Sequence, residues 1–240
     1  MKRGMTMTNG EGIAIRGLSK NYGKTMALEM IDLTLPKGKI IGLLGPNGSG
    51  KTTLLKILSG LLMNYDGRVT INGHSPDLHT KRIVSYLPDS PYFADWMKIK
   101  DATRLFKDMY PDFRTDVMAA LLSRFELSPK MRIKTMSKGM KEKFQLALVM
   151  SRKAEIYLLD EPIGGVDPAA RDVILQTILA NFNPESLLLI STHLIQDVEK
   201  ILDEVIFIKN GRIVLHEPRN SVIEREGKSI DDVFREVFKC

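Results

Sequence analysis

A glycine-rich segment between two apolar segments constrains this chain more than any other feature. Residues 45–52 read Gly-Pro-Asn-Gly-Ser-Gly-Lys-Thr, which satisfies the pattern G-x-x-x-x-G-K-[ST]. The apolar run Lys39–Leu44 predicts a buried strand before it, and Lys51–Leu62 predicts a helix after it. Glycines let successive backbone N–H groups turn inward towards phosphate oxygens, beside the positive end of the helix. The sequence therefore predicts a nucleotide site.

Each part of this phosphate loop has an expected task. The Lys51 ammonium would reach the β- and γ-phosphates, and the Thr52 hydroxyl would ligate magnesium. The other residues expected to contact the nucleotide are Gly45, Pro46, Asn47, Gly48, Ser49, Gly50 and Thr53.

Two adjacent acids follow a second apolar strand. Asp160 and Glu161 come directly after Ile156–Leu159, and ligands bind at the carboxyl ends of strands in parallel sheets. Asp160 is expected to hold the magnesium, and Glu161 to orient and deprotonate the attacking water. The alternative is that these acids only cap a following helix.

The alternation of apolar strands with helices predicts an α/β fold of the P-loop type, with a mostly parallel core sheet and an antiparallel β part. We expect one domain over residues 1–240. Its core would comprise 1–88 and 152–240, with a helical subdomain at about 89–151 and a C-terminal helix at 222–240. Asn210-Gly211 between apolar runs predicts a two-residue hairpin.

Composition sets the expected compartment. The net charge is +6, but basic and acidic residues are interleaved, which favours a solvated surface over a nucleic-acid arm. No run of about 18 apolar residues is present, so we expect no membrane span. The N-terminal residues lack the apolar run of a secretion signal. A single cysteine, Cys240, favours a reducing cytoplasm.

Taken in order, the motifs resemble those of the ABC ATPases over nearly the whole chain. Alone, Tyr22 would be an ordinary half-buried tyrosine, and Ser137 or His193 would carry little meaning. Their order and spacing carry the resemblance. The matching segments are Tyr22, the phosphate loop, Tyr86-Leu87-Pro88-Asp89, Met136-Ser137-Lys138-Gly139-Met140, Asp160-Glu161-Pro162, Gly164-Gly165-Val166-Asp167-Pro168 and Ser191-Thr192-His193.

The resemblance implies an ATP-hydrolysing subunit that uses ATP and Mg²⁺ and pairs with a second ATPase subunit. Tyr22 would stack on adenine, and Asp89 would be a further magnesium ligand. Ser137 and Gly139 would meet the γ-phosphate held by the partner copy, which Asp167 would also help to order. His193 would contact the γ-phosphate and, with Glu161 and Lys51, serve catalysis.

The resemblance also implies a separate integral membrane transporter subunit, at the cytoplasmic face of the cell membrane, and no nucleic-acid partner. The sequence differs from the common family pattern at three places. Asp89 replaces a glutamine, Lys138 and Met140 replace glycine and glutamine in the signature, and Gly164-Gly165 replaces a Ser-Ala pair. The signature, the acid at position 89 and the tail Ser229–Phe234 resemble bacterial exporter-type ATPases, some of which export peptides.

Two other functions remain open from the sequence. A soluble ABC ATPase acting on ribosomes or nucleic acid would suit the basic pI of about 9.3, but such relatives usually carry two cassettes or a long coiled coil. A small-molecule kinase would need the phosphate loop, but neither the signature nor Glu161 nor His193.

Overall fold

A computed structural model describes residues 11–238. In chain order its strands are β1 (Glu11–Tyr22), β2 (Thr25–Pro36), β3 (Lys39–Leu44), β4 (Asp66–Ile71), β5 (Val84–Leu87), β6 (Ile156–Asp160), β7 (Leu187–Thr192), β8 (Glu204–Lys209) and β9 (Arg212–Pro218). Its α-helices are α1 (Lys51–Leu58), α2 (Leu78–Ile83), α3 (Ile99–Met109), α4 (Thr115–Arg124), α5 (Lys138–Met150), α6 (Pro168–Asn181), α7 (Ile195–Val198), α8 (Arg219–Glu226) and α9 (Ile230–Phe238). Short 3₁₀ turns occupy Ile133–Thr135 and Glu199–Ile201.

The strands form two sheets. The smaller sheet has the order β2-β1-β4 and is antiparallel. The larger has the order β5-β6-β7-β3-β8-β9, in which every neighbouring pair is parallel except β8 and β9. The predicted α/β fold, with a mostly parallel core sheet and an antiparallel part, is confirmed.

Side-chain alternation along the central strands divides the core into two layers. Ile156 and Leu158 of β6 pack with α1 and the antiparallel sheet, whereas Tyr157 and Leu159 pack with the helices on the opposite face. A strand that buries both faces is apolar throughout, which explains the uninterrupted apolar runs of β3, β6 and β7. The carboxyl ends of these strands therefore emerge at one edge of a rigid sheet.

Two sequence expectations need correction. The helix expected over Lys51–Leu62 ends at Leu58, because Gly60 takes a left-handed conformation with φ 70°. Within the described residues, the C-terminal helix expected at 222–240 is two helices, separated at Gly227, whose φ is 66°. Helix α2 was not predicted.

Other features agree with the sequence or lie outside the described part. Asn210-Gly211 forms the turn between the antiparallel strands β8 and β9. The N-terminal decapeptide and Cys240, on which the expectations about a secretion signal and compartment depended, lie outside the described residues. Between residues 11 and 238, no helix combines the length and apolarity that crossing a bilayer would require.

Candidate functional site at the carboxyl edge of the core sheet

The phosphate loop joins β3 to α1, as the sequence predicts. Gly50 caps the helix with φ 109°, and a Cβ placed on it would lie 2.6 Å from the carbonyl oxygen of Ala27. The loop is thus packed closely beneath strand β2, where only glycine fits. The Ser49 side chain is buried and its hydroxyl has no partner in this structure, so it points a free polar group into the loop.

The Lys51 ammonium lies across this loop. Its Nζ atom donates to the carbonyl oxygens of Gly45 at 2.7 Å and Pro46 at 3.2 Å. The same nitrogen is 3.4 Å from Oε1 of Glu161, and the side chain is only 6% exposed. A desolvated cation held at the start of a helix is suited to bind phosphate oxygens.

Asp160 ends strand β6 and is 1% exposed. The Ser191 hydroxyl donates to its Oδ1 atom, while its Oδ2 atom is buried without a hydrogen-bond partner. Burial is the main cause that raises the pKa of Asp160 above its usual value. The neighbouring Ser191 and Thr52 hydroxyls oppose this shift of the pKa.

These features fit a bound magnesium ion. A buried carboxylate oxygen without a partner costs free energy unless a cation or donor satisfies it, and the Thr52 hydroxyl lies beside it. Among residues 11–238, no group of three or more His, Cys, Asp or Glu side chains suits a metal. Mg²⁺ needs no such group here, since it is usually held by one or two carboxylates together with substrate phosphates and water.

Glu161 follows Asp160 in a conformation that is uncommon for a non-glycine residue, with φ 49°. Its backbone N–H donates to the Ser191 carbonyl oxygen at 3.0 Å, which holds the turn. Its Oε2 atom lies 3.0 Å from Nδ1 of His193. Left-handed backbone of this kind stores about 1–3 kcal/mol and concentrates at functional sites. The strain here directs the Glu161 carboxylate between Lys51 and His193.

The order of the parallel strands brings these groups together. Strands β5, β6, β7 and β3 are neighbours, so the segments after them meet at one edge. A cavity of about 170 Å³ there is lined by side chains that include Asn47, Asp89, Asp160, Glu161 and His193. Asp89 is exposed at its rim and bonds to the Ser90 hydroxyl at 3.2 Å. Its charge adds to the upward shift of the Asp160 pKa.

Comparison with known proteins identifies the family. The chain matches the ABC transporter family over residues 28–164. YdbJ of Bacillus subtilis, an uncharacterized ABC transporter ATP-binding protein, is 35% identical over 212 residues, which cover 83% of this chain and 67% of YdbJ. The chain belongs to the ABC transporter ATP-binding family. The resemblance predicted from the motifs is confirmed.

Two further comparisons agree with this ABC assignment. The lantibiotic transport ATP-binding protein SrtF of Streptococcus pyogenes is 30% identical over 206 residues, covering 85% of this chain and 89% of SrtF. A solved ATP-binding subunit of an ABC transporter superposes with a TM-score of 0.85 at 25% identity, covering 95% of this chain and 99% of that one. The chain is therefore the ATP-binding subunit of a transporter.

Two signature residues of this ABC subunit, Ser137 and Gly139, do not line the cavity of their own chain, although Lys138 between them does. Ser137 caps α5, and its Oγ accepts from the Met140 N–H at 3.3 Å. Asp167 caps α6 in the same way, accepting from the Ala170 N–H at 3.1 Å. Both residues are exposed, and a Cβ added at Gly139 would meet no atom within 4 Å. The start of α5 therefore presents an open, accessible surface.

The remaining predicted contacts lie around the phosphate loop. Tyr22 is 50% exposed at the end of β1, and Lys20 Nζ lies 5.1 Å from its ring centroid. Strand β2 pairs with β1, and its residue Ala27 lies next to Gly50. The hairpin of β1 and β2 therefore lies beside the phosphate loop. Thr53 is half-buried on α1, and Gly48 is exposed in the loop with φ 78°.

Sequence reasoning gave two residues of this site no role. Ser191 binds the Asp160 carboxylate through its hydroxyl and the Glu161 N–H through its carbonyl. Its position at the carboxyl end of strand β7 could have indicated a role in the site, because ligands bind at that end of parallel strands. Glu142 on α5 also lines the cavity, and nothing in the sequence pattern distinguishes it from a surface acid.

Proposed function

We propose that this chain hydrolyses ATP as one of two ATPase subunits and thereby drives a separate integral membrane subunit. The observation that carries the proposal is the meeting of Lys51, Asp160, Glu161 and His193 at one sheet edge. Phosphate binding alone would need the loop and its lysine. The added carboxylate and histidine suit a site in which water attacks the γ-phosphate.

The chain's residues divide the chemistry between them. The loop N–H groups and Lys51 bind the β- and γ-phosphates, and Glu161 orients a water molecule and accepts its proton. The water oxygen bonds to the γ-phosphorus as the bond to the bridging oxygen breaks, which releases ADP and phosphate. His193 holds the Glu161 carboxylate from its far side. Bound Mg²⁺, held by Asp160 and Thr52 with Asp89 nearby, would supply positive charge to the phosphate oxygens.

The accessible start of α5 supports a paired arrangement. The free N–H groups at a helix start attract anions, and Ser137 and Gly139 do not line their own chain's cavity. We infer that they bind the γ-phosphate held by a second copy or a paralogue, and that Asp167 crosses the same interface. ATP would then stabilise the closed pair, and hydrolysis would open it.

An apolar groove supports docking to a membrane subunit. It has a volume of about 740 Å³ and runs between the end of β5 and α3, the region that we take as the helical subdomain at about 89–151. Leu105 and Met109 on its wall are 44% and 56% exposed. Trp96, between β5 and α3, is 75% exposed. Such a surface fits a cytoplasmic helix of the membrane subunit, which would place this chain at the cytoplasmic face of the cell membrane.

We further propose that the transporter is an exporter, with peptides as a candidate cargo. The support is the likeness to SrtF and the exporter-type motifs given above. The docking test is co-purification from detergent-solubilised membranes with the transporter's membrane subunit. Met109→Glu should abolish that association without unfolding the chain. Co-purification with ribosomes or DNA instead would favour the soluble alternative.

Hydrolysis and pairing are tested together with the Glu161→Gln variant. We expect ATP binding to persist, while phosphate release falls by about 10²–10⁴-fold because the proton acceptor is lost. With ATP the variant should sediment as a dimer. Adding Ser137→Phe should prevent the dimer and leave nucleotide titration of the monomer unchanged. Hydrolysis by Glu161→Gln at the wild-type rate, or equal loss of binding and pairing in the double variant, would contradict the proposal.

A further inference from the structure

Glu142 is an acidic side chain in the site that the proposed chemistry does not use. It lies on α5, in the helix that Ser137 caps, and its side chain is only 17% exposed. Its Oε2 atom is buried with no hydrogen-bond partner, while Oε1 lies 3.9 Å from the exposed Lys138 ammonium. Burial raises the pKa of this carboxyl above its usual value. A largely desolvated carboxylate that lines the same cavity as Asp160 and Glu161 does not stabilise the fold, so its position calls for another reason.

The Glu142 carboxylate is pressed against the loop that follows Glu161. A Cβ built on Gly165 would overlap Oε1 and lie 2.7 Å from the carboxyl carbon. The backbone of Gly165 is not in the left-handed region, so alanine would be allowed there if Glu142 were absent. A methyl group at position 165 would therefore displace the Glu142 carboxylate from the loop.

The same loop touches Glu161 on its other side. A Cβ on Gly164 would lie 3.3 Å from the Glu161 Cβ, and the Gly164 N–H donates to the Glu161 carbonyl at 3.1 Å. The loop then continues to Asp167, the cap of α6. The two glycines are therefore held between an acid on α5 and the strained residue at the end of β6.

We propose that Glu142 is a positioning residue, which holds the loop 164–167 against Glu161 and so couples the orientation of α5 to the Glu161–His193 geometry. Movement of α5 would reach Glu161 through contacts already present within one chain. The proposal rests on the role of Glu161 in hydrolysis given above. The new claim is that the position of α5 affects hydrolysis within its own chain, in addition to any contact of α5 with the phosphate bound by a partner.

A double-mutant cycle tests this contact. Glu142→Ala and Gly165→Ala should each lower kcat by about 10-fold, with the nucleotide Kd of the monomer changed less than about 2-fold, because misplacing a reacting group by a fraction of an ångström costs rate. In the Glu142→Ala background, Gly165→Ala should change kcat by less than about 2-fold, since the overlapping side chain is gone. Glu142→Gln, which keeps the shape, should retain most of the rate. The matched control is Glu224→Ala, an exposed acid on α8.

A second measurement separates this proposal from the proposed function. Hydrogen exchange of the amides of residues 164–167, measured without ATP, should rise in Glu142→Ala and in Gly165→Ala but not in Glu224→Ala. If the wild type fails to hydrolyse ATP while this exchange rises, the proposed function is wrong and the contact stands. Equal effects of Gly165→Ala in both backgrounds, or unchanged exchange in Glu142→Ala, would overturn the positioning role.

Discussion

Replacing Arg152 by Met would remove the buried cation that joins the 89–151 segment to the core sheet. Arg152 is 1% exposed, and its guanidinium bonds to both carboxylate oxygens of Asp112, at 3.1 and 3.0 Å. It also donates to the carbonyl oxygens of Val84, at 2.7 Å, and of Arg82. Its Cζ atom lies 3.8 Å from the ring centroid of Tyr110. One side chain thus binds groups from both parts of the chain.

The cost of this substitution can be worked from those contacts. Methionine fills much of the volume but leaves the carbonyls of Val84 and Arg82 without this donor, at about 1–3 kcal/mol each. The lost contact with the Tyr110 ring adds about 1 kcal/mol. Asp112 is 26% exposed and can be hydrated, so it adds little. We expect a loss of about 4 kcal/mol, and hence a Tm lower by about 8–16 °C for a chain of this size.

Urea unfolding followed by circular dichroism measures the effect directly. With a slope of about 3 kcal/mol per molar urea, the midpoint should fall by about 1.3 M. The control is Arg104→Met, whose side chain is 84% exposed and whose ion pair with Asp108 is 3.8 Å long. That variant should cost less than about 0.5 kcal/mol. If the midpoints of the two variants agree, Arg152 does not hold the segment to the core and the reasoning fails.

Two further predictions concern the site. Gly50→Ala should weaken both folding and nucleotide binding, because residue 50 has φ 109° and its new Cβ would meet the Ala27 carbonyl oxygen. The control Gly227→Ala also has a positive φ but no neighbouring atom within 4 Å, so it should cost only about 1 kcal/mol of stability. Equal losses of stability in thermal unfolding of the two variants would contradict this account. Glu142→Gln should be more stable than the wild type at pH 8. Burial raises the Glu142 pKa, so its charge costs stability as pH rises through the folded-state pKa. The difference in stability between the two proteins should vanish at a pH below the ordinary pKa range of carboxyl groups. A stability difference that stays unchanged from pH 4 to pH 8 would refute this prediction.

Part of the fold could be predicted because its signals are local. Strand β3 was predicted with its observed bounds, and β6 to within a residue, since burial of a strand on two faces leaves an uninterrupted apolar run in the sequence. The ends of other elements were less well predicted. The helix after the phosphate loop stops at Leu58, because Gly60 outweighs the apolar periodicity that continues to Leu62.

The sequence by itself determined which side chains we propose for the chemistry: Lys51 in a loop of fixed pattern, and Asp160 and Glu161 at the end of an apolar strand. Only the tertiary structure decided how they meet. The order β5-β6-β7-β3 places His193 on the Glu161 carboxylate and Ser191 on Asp160. It also lays Glu142 against Gly165. These pairs are separated by more than 20 residues, and no local periodicity encodes them, because parallel neighbours are chosen by the packing of whole strands and crossover helices.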